Sequence, residues 1–291
     1  GTSISGTNLS LRYKNMRTPL QGVANDSMMR RKLMATKEIR EPIPTALSAP
    51  PGSLNRVTGS RGGLRYYEHG GTGAKLPSVT TIMGKAIRKE GLEWWKDGMI
   101  RSGLKSHMGE TIDDDLIKDV TGKARREGKK AADLGSELHS LVDHILKGME
   151  PDSISPQLEP AINGFIEFQN AQPWTFLESE TAVFFQGQTT YAGTVDALFE
   201  NPNGTLVVVD LKSGDIYPEA KMQVSAYARA ITAMTGLPTT GMVVSTANTK
   251  DENGDKVFSG EINAVEVRPE LWLPGFDGAC YVYEALNREV A

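Results

Sequence analysis

Asp196, Asp210 and Lys212 are two carboxylates and an ammonium whose spacing could bring them to one patch of a sheet. Residues 191–200 and 205–212 are rich in β-branched and aromatic residues, which predicts two strands. Paired antiparallel strands place opposite Cβ atoms about 5 Å apart, and alternate residues share a face, so Lys212 would join the two carboxylates. Like charges this close destabilise a fold unless a cation lies between them, and hard oxygen ligands suit Mg²⁺ or Mn²⁺.

The turn between the two strands decides whether the carboxylates meet. Pro202 suits the first corner of a type I turn, and Gly204 suits the left-handed position of a three-residue hairpin loop. Such a loop pairs Asn201 with Thr205 and brings the two carboxylates directly opposite each other. A two-residue loop would shift the register by one residue and separate them. The valine run 207–209 also predicts a central strand that is buried on both faces.

A helix is predicted to follow the second strand and to return over this patch. Pro218 suits its first turn. Gln223 and Tyr227 lie four residues apart on it, so they share a face and could contact a phosphate or a base of a nucleotide. The simpler alternative is a solvated sheet edge, on which the lysine neutralises its neighbouring aspartate, beside an ordinary half-buried helix face.

Together these residues resemble the nuclease core of the PD-(D/E)XK superfamily and, more narrowly, its RecB-like exonuclease branch. The resemblance rests on Gly193-Thr-Val-Asp196, on Val209-Asp210-Leu-Lys212-Ser-Gly214 and on Gln223-x-x-x-Tyr227. Tyr66-Tyr67 and Pro77-Ser-Val-Thr-Thr81 are similar to the start of the family that includes the mitochondrial genome maintenance exonucleases and their phage and bacterial relatives.

The resemblance implies a role for each of these residues. Asp196, Asp210 and Lys212 would form the catalytic set. The two aspartates would bind Mg²⁺ or Mn²⁺ together with the backbone carbonyl of Leu211. Lys212 would position or activate the attacking water, and the Gln-x-x-x-Tyr pair would hold DNA.

The same branch carries a Gly-x-x-x-His sequence on a helix before the sheet, which Gly135 and His139 match here. The resemblance implies that His139 is a metal ligand, and an imidazole would favour Mn²⁺ relative to a site made only of oxygen ligands. Asp143 lies four residues after His139 and could hydrogen-bond to the imidazole and so orient it. His144 falls well round the helix from His139. A lone helical histidine is otherwise more often structural.

The family also places a glutamate on the strand before the first aspartate. Glu180 is the residue that fits best in the predicted strand 176–183. Glu178 has the same parity and is the alternative.

Composition sets the class of protein. The 291 residues are 39% hydrophobic and 23% charged, which is typical of a globular domain with enough apolar material for a core. No apolar run approaches the length of a membrane span. The single cysteine, Cys280, excludes an internal disulfide framework, suits a reducing compartment and excludes a four-cysteine iron–sulfur cluster.

Charge divides the chain into two predicted parts, residues 1–62 and 63–291. The first part contains ten Lys or Arg and three acidic residues, a net charge of +7. Because the whole chain has a net charge of −4, the second part has a net charge of −11. We interpret residues 1–62 as a basic extended arm that ends in a Pro-rich linker. The arm could attract DNA, dock a protein partner, serve as an organelle transit sequence, or simply pack on the acidic body.

The rest of the chain predicts alternating helices and strands. A strand is expected at 64–70, a helix that contains Trp94 and Trp95 follows, and helices are expected over 112–150. Either tryptophan could stack on a base or belong to the core. Five cations in 121–130 could meet phosphates or form a solvated helix face. A break at Pro274-Gly275 should precede a closing helix at 276–290.

The sequence therefore predicts an α/β fold with a mixed central sheet flanked by helices, as in the restriction-endonuclease-like core. The predicted function is a divalent-metal-dependent DNA exonuclease that acts on single strands or ends in replication, recombination or repair. A structure-specific or restriction-like endonuclease and a non-catalytic DNA-binding scaffold are the alternatives. The expected compartment is bacterial or phage-infected cytoplasm, with the mitochondrial matrix as the alternative, and no membrane partner is expected.

Overall fold

The computed structural model describes residues 54–58, 65–69, 73–88, 90–250 and 256–288. The strands in chain order are β1 (Leu54–Thr58), β2 (Arg65–His69), β3 (Lys75–Pro77), β4 (Thr175–Phe185), β5 (Tyr191–Glu200), β6 (Leu206–Lys212), β7 (Thr239–Lys250) and β8 (Lys256–Val267). The helices are α1 (Val79–Ala86), α2 (Glu90–Ser106), α3 (Asp114–Leu146), α4 (Glu159–Ala171), α5 (Pro218–Thr235) and α6 (Pro269–Arg288). None of the helices in these ranges is both long and apolar enough to cross a membrane.

A five-stranded mixed sheet forms the centre of the fold, in the order β4-β5-β6-β7-β8. Neighbouring strands are antiparallel except for β6 and β7, which run parallel because α5 connects them as a crossover helix. Residues 206–211 of β6 are all buried, which confirms the predicted burial of this strand on both faces.

Helices cover both faces of this sheet. On one face α1, α5 and α6 pack against sheet residues that include Tyr191, Leu198 and Val208. On the other face α3 and α4 pack against residues that include Phe199 and Leu211. The result is a helix–sheet–helix sandwich, and the predicted α/β fold class is confirmed.

A small antiparallel sheet, β1-β2-β3, joins the edge of this sandwich. A single bridge from Ser78 to Ala192 and a 2.6 Å hydrogen bond between the hydroxyls of Tyr67 and Thr194 connect it to β5. Strand β1 lies within the segment that the sequence assigned to the basic arm. Residues 1–53 and 59–62 of that segment lie outside the described residues.

The closing helix differs from its prediction. We expected a break at Pro274-Gly275, but α6 begins at Pro269 and continues through Pro274. The break was wrong because packing outweighs the one hydrogen bond that a proline removes. Phe276 and Cys280 are buried in the core beside α5. Gly275 contributes to this contact, since a Cβ there would lie 2.9 Å from the Met222 side chain on α5.

Candidate active site

The hairpin between β5 and β6 has the predicted turn. The Asn201 N–H donates to the Thr205 carbonyl at 2.9 Å, and Gly204 adopts a φ of +83°, a conformation that favours glycine. The loop therefore has three residues, and the predicted register is confirmed through the pair Ala197 and Val209.

Hydrogen bonding between β5 and β6 ends at that pair, one position before Asp196 and Asp210. The two carboxylates therefore lie where the strands begin to diverge. The Leu211 N–H donates to Asp196 Oδ2 at 2.8 Å, so a side chain takes the place of a strand-to-strand hydrogen bond.

Asp210 is the most buried charged group of the site, with 1% of its surface exposed. Its Oδ1 accepts a 2.9 Å hydrogen bond from Gln223 Nε2. Its Oδ2 lies 2.5 Å from Lys212 Nζ but forms no hydrogen bond of acceptable geometry with the described residues. Burial and the nearby Asp196 charge raise the pKa of Asp210 to about 6 against the opposing effect of Lys212. Asp210 is therefore a buried carboxylate that Lys212 balances only in part.

The pKa of Asp196 is shifted in the opposite direction, below its ordinary value. Burial raises the pKa of its carboxyl, but the His139 ring, the Lys212 charge and the Leu211 N–H outweigh burial and lower it. Burial likewise lowers the pKa of Lys212, and the two carboxylates more than compensate and raise it. The site therefore favours an ionised Asp196 beside a protonated Lys212.

His139 reaches this group from α3, where Nδ1 lies 3.3 Å from Asp196 Oδ1. Burial lowers the pKa of the imidazole, but the Asp196 carboxylate outweighs burial and raises it. Gly135, one turn earlier, allows the approach because a Cβ there would lie 3.2 Å from the Ser213 hydroxyl at the end of β6. The two residues of the Gly-x-x-x-His match thus both contact the β5–β6 region.

Glu180 joins His139 and Asp196 in one group whose ligand atoms lie within 4.8 Å of one another. Its backbone has a φ of +52°, an uncommon conformation for a non-glycine residue, within a strand. Burial and the Asp196 charge raise the pKa of Glu180. Glu178 and Glu180 are both exposed, but only Glu180 belongs to this group.

The other polar residues of α3 have different partners. Asp143 accepts a 2.6 Å hydrogen bond from the Ser179 hydroxyl, next to Glu180 in β4, and pairs with Lys147 at 2.7 Å. His144 Nδ1 lies 2.7 Å from the Ser140 carbonyl one turn back on the same helix. Asp143 therefore positions β4, and His144 does not face the carboxylates.

Gln223 and Tyr227 lie on α5 over the carboxylates. Besides Asp210, Gln223 Nε2 contacts the Tyr227 hydroxyl at 3.2 Å. Tyr227 is only 4% exposed, and burial raises the pKa of its phenol well above the ordinary value. Gly193 makes room for the ring, because a Cβ there would lie 2.3 Å from it. Tyr227 therefore fixes Gln223 against Asp210.

These residues form the floor of an open cleft of about 1000 Å³. Its walls include Trp95 on α2, Tyr217 before α5, and two arginines, Arg56 on β1 and Arg65 on β2. Sequence reasoning did not select Arg65 for the site and counted Arg56 only with the charge of the arm. Arg65 and Tyr67 are two residues apart on β2 and therefore share a face, and Tyr67 contacts β5. This spacing is the sequence signal that could have identified Arg65.

Comparisons with known proteins leave the family open. No protein-family model matches the sequence, and no curated protein matches it. A solved structure of a candidate exonuclease from Eubacterium rectale covers 68% of this chain and 87% of its own, with 12% identity and a TM-score of 0.31. The structure of SSO0001 covers 64% of this chain and 85% of its own, with 14% identity and a TM-score of 0.27. Such scores do not establish a shared fold, and the RecB-like membership stays a prediction from the motifs.

Proposed function

We propose that this protein is a divalent-metal-dependent deoxyribonuclease, and specifically an exonuclease that acts on single strands or on DNA ends. The observation that carries the proposal is the meeting of Asp196, Asp210, Lys212 and His139 on the floor of one open cleft. A scaffold protein gains nothing from two buried carboxylates that repel each other. A metal-dependent hydrolase needs them.

The donor set fits a hard divalent cation. His139, Glu180 and Asp196 offer ligand atoms within 4.8 Å of one another, and the buried Asp210 lines the same cleft with its Oδ2 2.5 Å from Lys212 Nζ. His139, Asp196, Asp210 and the carbonyl of Leu211 would hold Mg²⁺ or Mn²⁺, and Glu180 would add a carboxylate. A single cysteine in the chain is incompatible with a four-cysteine iron–sulfur cluster.

A bound divalent ion would polarise a phosphate oxygen and lower the pKa of a bound water. Lys212, held 2.5 Å from Asp210 Oδ2, carries an ammonium that would orient the attacking water or stabilise negative charge that develops on the phosphate. Gln223, fixed by Tyr227, keeps the Asp210 carboxylate in one orientation, with both N–H groups of its amide engaged.

The cleft suits a polyanion. Arg56 and Arg65 line the wall that faces the acidic floor, so phosphates could approach the carboxylates without an uncompensated repulsion. The cleft has a volume of about 1000 Å³ and is open to solvent, which supports a polymeric substrate over a small enclosed ligand.

The test uses end-labelled linear single-stranded DNA and covalently closed circular single-stranded DNA with Mn²⁺, Mg²⁺ or chelator. We expect the linear strand to be degraded from an end, the circle to survive, and the chelator to stop the reaction. Asp210→Asn is the matched control for a contaminating nuclease. Cleavage of the circle would assign an endonuclease instead, and metal-independent binding without cleavage would assign a scaffold.

A further inference from the structure

The basic stretch of α3 divides into paired and unpaired cations. Three of its five cations pair with acidic residues of the same helix, Arg126 with Asp119 at 3.0 Å, Lys129 with Asp133 at 2.5 Å and Lys130 with Glu127 at 2.9 Å. Within the part of the chain that the structure describes, Lys123 and Arg125 have no ion pair. Both are exposed, so both are free to meet an external anion.

Helix periodicity places these two cations on different faces. Arg125 precedes Ala132 by seven residues and Ser136 by eleven, and both of those residues line the cleft. At 3.6 residues per turn the three share one face. Lys123 precedes Ala132 by nine residues, which is two and a half turns, and therefore lies on the opposite face. Of the two cations without an ion pair, Arg125 is therefore the one that lies on the same face of α3 as the residues that line the cleft.

Trp95 lies between Arg125 and the catalytic floor. Its ring lines the cleft and lies 3.7 Å from the position that a Cβ would have at Gly128, one turn beyond Arg125 on α3. The neighbouring Trp94 is 72% exposed and does not line the cleft. Only one of the two adjacent indoles therefore presents a surface to a strand in the cleft.

The distance between Arg125 and His139 along α3 follows from the rise of the helix. Fourteen residues separate Arg125 from His139, and a rise of 1.5 Å per residue gives about 21 Å. At a spacing of about 3.4 Å for stacked nucleotides, that length corresponds to about six nucleotides. Arg125 would therefore contact a phosphate well away from the bond that is cleaved.

We propose that a single-stranded nucleic acid lies along α3, with one base stacked on Trp95 and a phosphate bound by Arg125 about six nucleotides from the catalytic floor. This track rests on the proposed nuclease function, and it selects an unpaired strand because the bases of a duplex are already stacked on each other. Aromatic stacking accepts any base, so binding should not depend on sequence.

Matched variants test the track through binding alone. Each change is made in the Asp210→Asn full-length protein with chelator, and binding of a fluorescent 12-nucleotide oligo-dT is measured against salt concentration. We expect Trp95→Leu to weaken binding about tenfold, as for one lost stacked base. We expect Arg125→Ala to weaken it severalfold and to reduce the slope of log K against log salt by about 0.7. Trp94→Leu and Lys123→Ala are the controls and should bind as the parent does.

Two further measurements exclude a merely structural effect. With Lys212 and Asp210 intact, Arg125→Ala should lower kcat/KM for a 12-nucleotide strand and leave kcat/KM for a 4-nucleotide strand unchanged, because the shorter strand cannot reach Arg125. Trp95→Phe, which retains an aromatic ring, should recover most of the binding lost in Trp95→Leu. Melting temperatures identify any variant that fails to fold.

The possible failures are distinguishable. Equal binding losses for Arg125→Ala and Lys123→Ala, or for Trp95→Leu and Trp94→Leu, would overturn the track while metal-dependent cleavage remained. Tighter binding of a 12-base-pair duplex than of the single strand would also overturn it. If the parent cleaves no DNA with any metal, the nuclease proposal fails, whereas the binding measurements still decide the track.

Discussion

Two regions of this molecule bury charged groups, and they do so differently. Around Arg229 on α5, the guanidinium donates to the Tyr191 hydroxyl at 3.0 Å and to Asp277 Oδ1 at 2.7 Å. Its central carbon lies 4.6 Å from the centroid of the Phe185 ring. In the cleft, by contrast, the buried Asp210 pairs with Lys212 at 2.5 Å but lies close enough to Asp196 for that charge to raise its pKa.

The comparison separates a structural cluster from the one that we propose to be functional. Arg229 is a single cation that donates to one hydroxyl and one carboxylate, and it connects α5, α6 and the β4–β5 hairpin. On the floor of the cleft Asp196 and Asp210 both lie near Lys212, and the pKa values of the two aspartates are displaced in opposite directions. Such incomplete compensation costs stability, which a protein retains where it serves binding or catalysis.

The largest expected effect is on cleavage. Asp210→Asn removes a ligand charge with little change in shape, so we expect cleavage to fall by about a thousandfold or more while the fold persists. DNA binding should be retained or strengthened because a repulsive charge is gone. Steady-state cleavage with Mn²⁺, together with circular dichroism, measures this, and near-parental cleavage would remove Asp210 from the site.

The next effect is on stability in metal-free protein. The folded pKa of Asp210 is about 6, above the unfolded value, so its contribution to stability is fully present below about pH 4 and is lost as pH rises through 6. Asp210→Asn should therefore gain stability relative to the parent between pH 4 and pH 7, by as much as about 3 kcal/mol. Urea unfolding in chelator at the two pH values measures the difference. A difference that does not change with pH would contradict the raised pKa.

A third effect concerns the metal. His139→Ala removes one proposed ligand, so half-maximal activity should require about 10 to 100 times more Mn²⁺. Gly135 and the α3 packing are untouched, so the melting temperature of the metal-free variant should change little. Coincident Mn²⁺ titrations for variant and parent would make His139 a structural residue.

The structural cluster should respond in the opposite way. Arg229→Met keeps an apolar stem against Phe185 but removes the guanidinium, and we expect a loss of about 2 kcal/mol in the free energy of unfolding. Cleavage per folded molecule should stay at the parental level, because no atom of Arg229 reaches the cleft. A loss of kcat without a loss of stability would reverse the roles that we assign to the two clusters.

The smallest effect concerns the basic arm. Removal of residues 1–53 spares β1 and deletes eight cations. If the arm attracts DNA, the slope of log K against log salt should fall by about 0.7 for each lost phosphate contact, while kcat at saturating DNA is unchanged. An unchanged slope with a lowered melting temperature would mean that the arm packs on the domain, and loss of binding to another protein would mean that it docks a partner.

Local chemistry explains what the sequence could predict. Pro202 and Gly204 determine a three-residue loop, the loop determines the register, and the register brings Asp196 and Asp210 together. Each step depends on residues that are close in the chain. His139 came from a motif resemblance, because no local rule places a residue of α3 against β5.

The features that the sequence did not predict depend on distant contacts. The left-handed backbone at Glu180 has no glycine or asparagine to signal it, and it depends on how β4 lies beside β5 and α3. Arg65 enters the cleft wall only because β2 packs on β5. The continuity of α6 through Pro274 likewise depends on its packing against α5, which outweighs the local preference.

Gly193 is an uncharged residue on which the geometry of the cleft floor depends. The Tyr227 ring occupies the space that any side chain at this position would need. A methyl group on β5 would therefore lift α5 and withdraw Gln223 from Asp210, although every ionisable group of the floor would still be present. The geometry of the cleft floor depends on an absent atom as much as on the carboxylates, so a neutral substitution at Gly193 would disturb the proposed site as much as the loss of a carboxylate.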